Sequence, residues 1–295
     1  MISELHPHRA LGVLVGAALT AWCFVFTVAL LWRGLTQPID LPAVGLYVTA
    51  TLFFGLGSLF AYWTYSCLTL KYFLDRNGLT IHWGDIRQLI PMDRIEKLVP
   101  GRELPVPKVT GVSWLGHHVG HGLVEGLGDT IFYSTHGSQE ELLYIVTAEH
   151  TYAISVTDDV QFAEELQGHQ KLGQVVSLPQ VNERHSVAAL PLWNDPLALL
   201  LAFAAAVGFA VTLGYVFHQY PGLPESIPFP FSSQGFGDKE ELLSIPITGL
   251  GILAVSLVLG FLLHALDRAV GYLLFLSGLG AQIVLLSAAI ITLNQ

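Results

Sequence analysis

The sequence predicts an α-helical membrane protein of about five transmembrane helices with one inserted, mostly β soluble domain. Three observations predict it. Leu11–Trp32, Val44–Leu70, Pro196–Phe217, Ile247–Leu266 and Ala269–Leu293 each run for 20 or more residues without Asp, Glu, Lys or Arg. A hydrocarbon layer about 30 Å thick takes roughly 20 helical residues to cross, and a soluble helix rarely avoids charge that long because one of its faces meets water. Charged residues make up 12% of the chain, against about 25% in ordinary soluble domains. Finally, the charges that do occur are concentrated between the second and third apolar stretches. Nine Lys or Arg and fifteen Asp or Glu lie between Thr69 and Trp193.

The chain divides accordingly. Residues 1–68 read as a two-helix transmembrane hairpin, 69–170 as a soluble domain, 171–195 as a linker, and 196–295 as a three-helix transmembrane unit with a proline-rich loop. The first apolar stretch exceeds the 7–15 residues of a signal-peptide core, and no cleavage site follows Trp32, so it reads as a retained anchor. With the N-terminus in the cytoplasm, Arg9, the soluble block and Arg268 lie inside, which is eleven of the thirteen basic residues. Arg33 and Lys239 then lie outside. The positive-inside bias therefore predicts a bacterial cytoplasmic (inner) membrane protein with a cytoplasmic soluble domain and an external C-terminus.

Within the soluble block, Leu70–Leu74 and Leu79–Trp83 flank Asp75-Arg76-Asn77-Gly78, a strong hairpin turn, and Gly84-Asp85 turns again into Ile86–Ile90. Pro91–Leu98 reads as a strand or one helical turn, and Pro100, Pro105 and Pro107 then break regular structure. After a glycine-rich portion from Gly111 to Gly128, Thr130–Thr135, Leu142–Thr147 and Thr151–Ser155 read as strands. Thr157-Asp158-Asp159 starts a helix that points Phe162, Ala163 and Leu166 to one face and stops at Gly168. About seven strands and a closing helix form a small curved sheet with its open end covered.

That order resembles a bacterial pleckstrin-homology-like (PH-like) domain over roughly Leu70–Gln167. The residues that carry the likeness are Asn77-Gly78-Leu79-Thr80-Ile81, Ile90-Pro91-Met92-Asp93-Arg94-Ile95, Val119-Gly120, Gly128 through Thr135, and Tyr152-Ala153-Ile154-Ser155 before Asp158-Asp159 and Phe162. The family's usual proline after the serine is replaced by Val156. These motifs imply a fold, not an activity. Leu223-Pro224-Glu225-Ser226-Ile227-Pro228, followed by Phe231, Gly235, Asp238 and Lys239, resembles a loop in a domain of unknown function shared with immunity proteins against a sporulation-delay toxin. The likeness covers about Pro196–Leu293, and Pro230 stands where that family has histidine. It implies a candidate partner-contact site at Leu223, Pro224, Ile227, Pro228, Phe231 and Asp238. The weightier reading of the loop is a stiff, extended apolar segment resting on the outer leaflet, because each proline fixes φ and removes a donor.

Other candidates carry less chemistry. His117, His118 and His121 include the spacings of three and four that a metal-ligand cluster on a helix uses, but three glycines in Gly116–Gly122 oppose a helix. On a strand, His117 and His121 would stand about 13 Å apart. His264 and Asp267 lie three apart beside Arg268 and are able to pair across one helical turn; Asp267-Arg268 reads better as the turn of a tight hairpin. No Walker or Rossmann spacing and no nucleophile elbow occurs. Cys23 and Cys67 both fall in apolar stretches and read as packing residues. Catalytic, cofactor and metal residues are therefore expected to be none, and no specific small molecule is expected.

The soluble block is acidic by six charges, which disfavours nucleic acid as a partner. Its basic residues Arg87, Arg94, Lys97, Arg102 and Lys108 alternate with Asp85, Asp93, Glu96 and Glu103, a pattern unlike a lipid-binding polybasic clamp. The expected partners are the lipid bilayer and a protein, either another chain or a second copy. The function read from the sequence is a non-enzymatic membrane protein whose PH-like domain mediates assembly or scaffolding. The alternative is a membrane sensor or immunity-type protein that meets an external peptide or envelope stress through loop 218–245.

Overall fold

The computed structural model describes residues 3–105, 107–173, 176, 180–184, 190–228 and 236–294. Its elements run β1 (Ser3–Leu5), α1 (Ala10–Thr36), α2 (Leu41–Thr69), β2 (Lys71–Leu74), β3 (Gly78–Trp83), β4 (Ile86–Pro91), β5 (Ile95–Pro100), β6 (Thr110–Trp114), β7 (His117–Val124), β8 (Gly128–Ser134), β9 (Leu142–Thr147), β10 (Thr151–Ser155) and α3 (Asp159–Leu172). They continue with β11 (Val181–Arg184), α4 (Pro196–Gln219), β12 (Ser226–Pro228), β13 (Phe236–Asp238), α5 (Ser244–His264) and α6 (Arg268–Leu293). The five helices other than α3 are each long and apolar enough to cross a membrane. Packing divides the chain into two units, Met1–Phe24 with Phe54–Ala189, and Val25–Phe53 with Leu190–Gln295.

The first unit holds the β domain. One sheet has the order β1-β2-β3-β4-β11 and the other β5-β9-β10-β8-β7-β6. The Asp75 carboxylate accepts from the Asn77 and Gly78 N–H groups at 2.8 and 2.9 Å, which closes the β2–β3 turn that Asn-Gly predicts. Pro91–Leu98 resolves into a short 3-10 turn at Met92–Arg94 and then β5. The glycine-rich stretch becomes the β6–β7 hairpin, and β10 runs parallel to β8 while pairing antiparallel with β9. Two strands have no signal in the sequence. β1 pairs with β2, and β11, inside the expected linker, pairs with β4. Both are too short to show alternation, so only the partner strand makes them strands.

α3 begins where Asp158 accepts from the Val160 and Gln161 N–H groups at 3.0 and 2.9 Å, a side-chain N-cap. Its face carrying Phe162 and Leu166 is buried in one cluster with Leu79, Ile81, Ile95 and Leu143, as the helical spacing predicts. The two sheets are also tied by Tyr72. Its hydroxyl donates to the Tyr133 carbonyl at 2.7 Å and accepts from the Ser155 N–H at 3.2 Å. Burial pushes that phenol well above its ordinary pKa, so it remains a donor.

The second unit is built on α4, α5 and α6. Asp195 caps α4, with Pro196 at the first helical position, where no donor is lost. The helices meet at small residues. A side chain on Gly260 would collide with the Phe275 ring, and one on Gly278 with Ser256. Gln282 lies between Gly208 and Gly249 and donates to the Gly249 carbonyl at 2.9 Å. Close backbone approach and a few interhelical hydrogen bonds replace a hydrophobic driving force that lipid cannot supply. Phe203, Leu273 and Ile247 point outward, as a lipid-facing surface requires.

Candidate functional site

The clearest recess on the β domain lies between β5 and α3. β5 is an end strand of its sheet, paired with β9 on one side only among the described strands. Its outer edge faces α3 across a groove of about 480 Å³. Leu98, Leu143, Ala163 and Leu166 form an apolar floor, while Lys97, Arg102, Glu164 and Gln167 stand on the rim. Arg102 and Asp159 approach to 3.6 Å at the rim, both partly in water, so the pair contributes little to stability. The usable edge is short. A bulge interrupts the register between Ile95 and Lys97, and Pro100 removes a donor at the other end. Those features limit uncontrolled strand pairing while leaving Lys97–Val99 open.

The histidines of β7 and its neighbours diverge. His117 is fully buried beside Trp114 and Trp83, with ring centroids 4.9 and 6.2 Å away. His118 bonds Ser113 at 2.7 Å and lies against His136, whose ring centroid is 4.1 Å distant. His121 stands exposed, 3.7 Å from Asp129. Burial, with a smaller contribution from His118, pushes both His117 and His136 down to about 4, and burial lowers His118 as well. Among the described residues no three His, Cys, Asp or Glu side chains are grouped to hold a metal ion.

Comparison with known families bears on the same residues. Residues 70–170 match the family model of the bacterial PH domain. The chain is thus an α-helical membrane protein with an inserted PH-like domain, and both the groove and the histidines belong to that domain. Neither curated proteins nor solved structures gave a match.

The loop residues singled out in the sequence are placed unevenly. β12 and β13 form a two-stranded hairpin closed by Lys239 and Glu225 at 2.7 Å. Ile227 is buried with Val216, Phe217 and Leu242, so its side chain serves the loop's own packing and is withdrawn from any contact surface. Ile227 shares that cluster with residues at the ends of α2, α4, α5 and α6, and residues 229–235 of the loop lie outside the described residues. Leu223 and Pro228 are half-buried, and Pro224 and Asp238 are exposed. Phe231 lies outside the described residues.

His264 does not pair with Asp267. Asp267 caps α6 through the Ala269 N–H at 2.8 Å, and His264 instead meets Asp195, 69 positions away, at 3.1 Å. Tyr272 donates to the same Asp195 oxygen at 2.6 Å. The other oxygen accepts from the Leu197 and Ala198 N–H groups, each at 3.2 Å. The Tyr272 hydrogen bond first, then the Ala198 N–H and His264, hold the Asp195 carboxyl down to about 2 despite its burial. With both oxygens engaged, Asp195 fastens the ends of three helices and presents no free acceptor to a ligand. An acid directly before Pro196 is the N-cap signal that would have found it.

Proposed function

We propose that this is a non-enzymatic membrane protein whose PH-like domain assembles with protein through the β5–α3 groove. The single observation that carries this reading is the open Lys97–Val99 edge facing α3 across an apolar-floored recess. An extended segment added there would gain backbone hydrogen bonds from β5 and place one apolar side chain against Leu98 and Ala163. Main-chain pairing of that kind supplies affinity, and the pocket supplies specificity. The mixed charge of the rim favours a polypeptide over an anionic membrane surface. The positive-inside bias supports an orientation with the N-terminus and residues 71–193 in the cytoplasm and the C-terminus outside the inner membrane.

Val160 lines the groove and is exposed, so Val160→Glu changes the recess without touching the core. Full-length protein purified in mild detergent should co-purify a protein partner, or crosslink to itself, and Val160→Glu should lose that association while melting like the parent. Association that survives Val160→Glu with the fold intact would reject the groove as its site.

A second reading, a sensor or immunity-type protein, is favoured by the closed β12–β13 hairpin with Pro224 and Asp238 exposed. It rests on the resemblance of that loop to the immunity proteins. Loop substitutions that abolish function while groove association persists would move the conclusion to this reading.

A further inference from the structure

The β6–β7 turn leaves its own sheet to lie along transmembrane helices α1 and α2. Trp114 donates from Nε1 to the Gly12 carbonyl of α1 at 3.0 Å. Its ring packs beside Phe60 and Trp63 of α2, with centroids 6.3 and 6.1 Å away. Two glycines make the approach possible. A side chain on Gly12 would collide with the Gly116 carbonyl, and one on Gly16 would come within 3.3 Å of the Trp114 ring. Gly116 turns the hairpin with φ of 79°, a conformation that favours glycine.

The level of this contact can be read along the helices. The Arg9 side chain bonds the Leu68 and Leu70 carbonyls, which marks where the charge-free stretches of α1 and α2 begin and end. At 1.5 Å per residue, Gly12 and Gly16 lie about 4 and 10 Å beyond Arg9, and Phe60 about 12 Å beyond Leu68. Trp114 therefore sits in the zone between headgroups and hydrocarbon, where tryptophan is enriched because its ring is apolar and its N–H needs a partner. The next residue, Leu115, is 60% exposed at the tip. Leu11, Leu14, Tyr65 and Leu68 on the adjoining helices are exposed as well, and Gly116, the other residue of the turn, lies against Leu11 and Gly12, so the exposed tip stands beside the helices' apolar surface.

We propose that the β6–β7 turn is an interfacial membrane anchor, with Leu115 inserted into the lipid leaflet that the β domain faces and Trp114 fixing its depth. The interaction is apolar, so it operates in a domain whose acidic balance gives no charge-driven attraction to lipid. It is independent of the groove, which lies at the opposite end strand of the same sheet.

The test uses the full chain in bilayer nanodiscs of phosphatidylethanolamine and phosphatidylglycerol, with a spin label at Leu115→Cys. Cys23 and Cys67 are buried and are replaced by alanine to leave one thiol. Leu123→Cys is the reference, because Leu123 is 82% exposed toward the far end of β7, about 24 Å along the strand from the turn. The expected result is a label at 115 relaxed more by oxygen, which partitions into lipid, than by a water-soluble nickel chelate, with the reverse order at 123. Equal, water-like behaviour at both positions would overturn the proposal. So would dipolar broadening at 115 that vanishes on dilution with unlabelled chain, which would assign the tip to a second copy.

Discussion

The PH-like domain and the α4–α6 bundle keep their interiors together by different means. In the first, Phe162 and Leu166 of α3 are buried with residues from both sheets, and removal of apolar surface from water drives the packing. In the second, contact points are Gly208, Gly249, Gly260 and Gly278, and buried polar groups, Gln282 and the Asp195–His264–Tyr272 set, bond across helices. Lipid gives apolar side chains no reason to leave it, so size and hydrogen bonding decide where helices meet. The lesson is that one kind of truncation should cost differently in the two regions.

The largest expected effect is in the PH-like domain. Phe162 is 1% exposed, and Phe162→Ala should destabilise the domain by about 3–5 kcal/mol, the transfer loss of the ring plus the cavity it leaves. Denaturant titration of the detergent-solubilised chain, followed by tryptophan emission, reads this directly. A change near zero would mean that α3 does not dock and that the groove beside it is not a fixed site.

Next comes a pH effect confined to the same domain. His117 titrates near 4 when folded, against an ordinary value of 6.5. The unfolded chain therefore binds the proton first. The stability that neutral His117 contributes is present above pH 6.5 and is lost as pH falls toward 4. The window corresponds to roughly 3 kcal/mol for this group. Thermal unfolding measured between pH 7 and 4 should show the loss, and His117→Phe should flatten the slope. An unchanged slope in that variant would assign the acid sensitivity to other groups, His136 foremost.

The smallest effect belongs to the bundle. Gln282→Leu removes a buried interhelical hydrogen bond yet should cost only about 0.6 kcal/mol and at most about 1.7, because helices separated in lipid find other partners for such groups. Reversible unfolding in mixed micelles measures it. A loss matching that of Phe162→Ala would erase the contrast between the two regions.

Much of this was legible in the residues themselves. Absence of charge over 20 or more positions marks the spans whatever surrounds them, because the bilayer acts on each helix separately. Asp75-Arg76-Asn77-Gly78 closes its turn locally, and Asp158 with Phe162 and Leu166 specifies a capped, one-faced helix within fourteen residues. The glycines around His117, His118 and His121 oppose a helix, and those histidines lie on β7. Which of them would be buried was not legible, because burial changes sides along β7 near Gly120.

The features that carry the functional reading were decided at long range. The sequence by itself determined five apolar spans, a β domain between the second and third, and a helix to close it, each from local charge, spacing or turn chemistry. Only the tertiary structure decided that β1 and β11 extend one sheet, that β8 and β10 run parallel, and that β5, among the described strands, ends its sheet beside α3. It also decided that His264 meets Asp195 rather than its neighbour Asp267, and that Trp114 reaches α1 across 102 positions. The physical reason is common to all of these. Pairing of strands and approach of helices depend on which surfaces chain closure brings together, and no local pattern records a partner that distant.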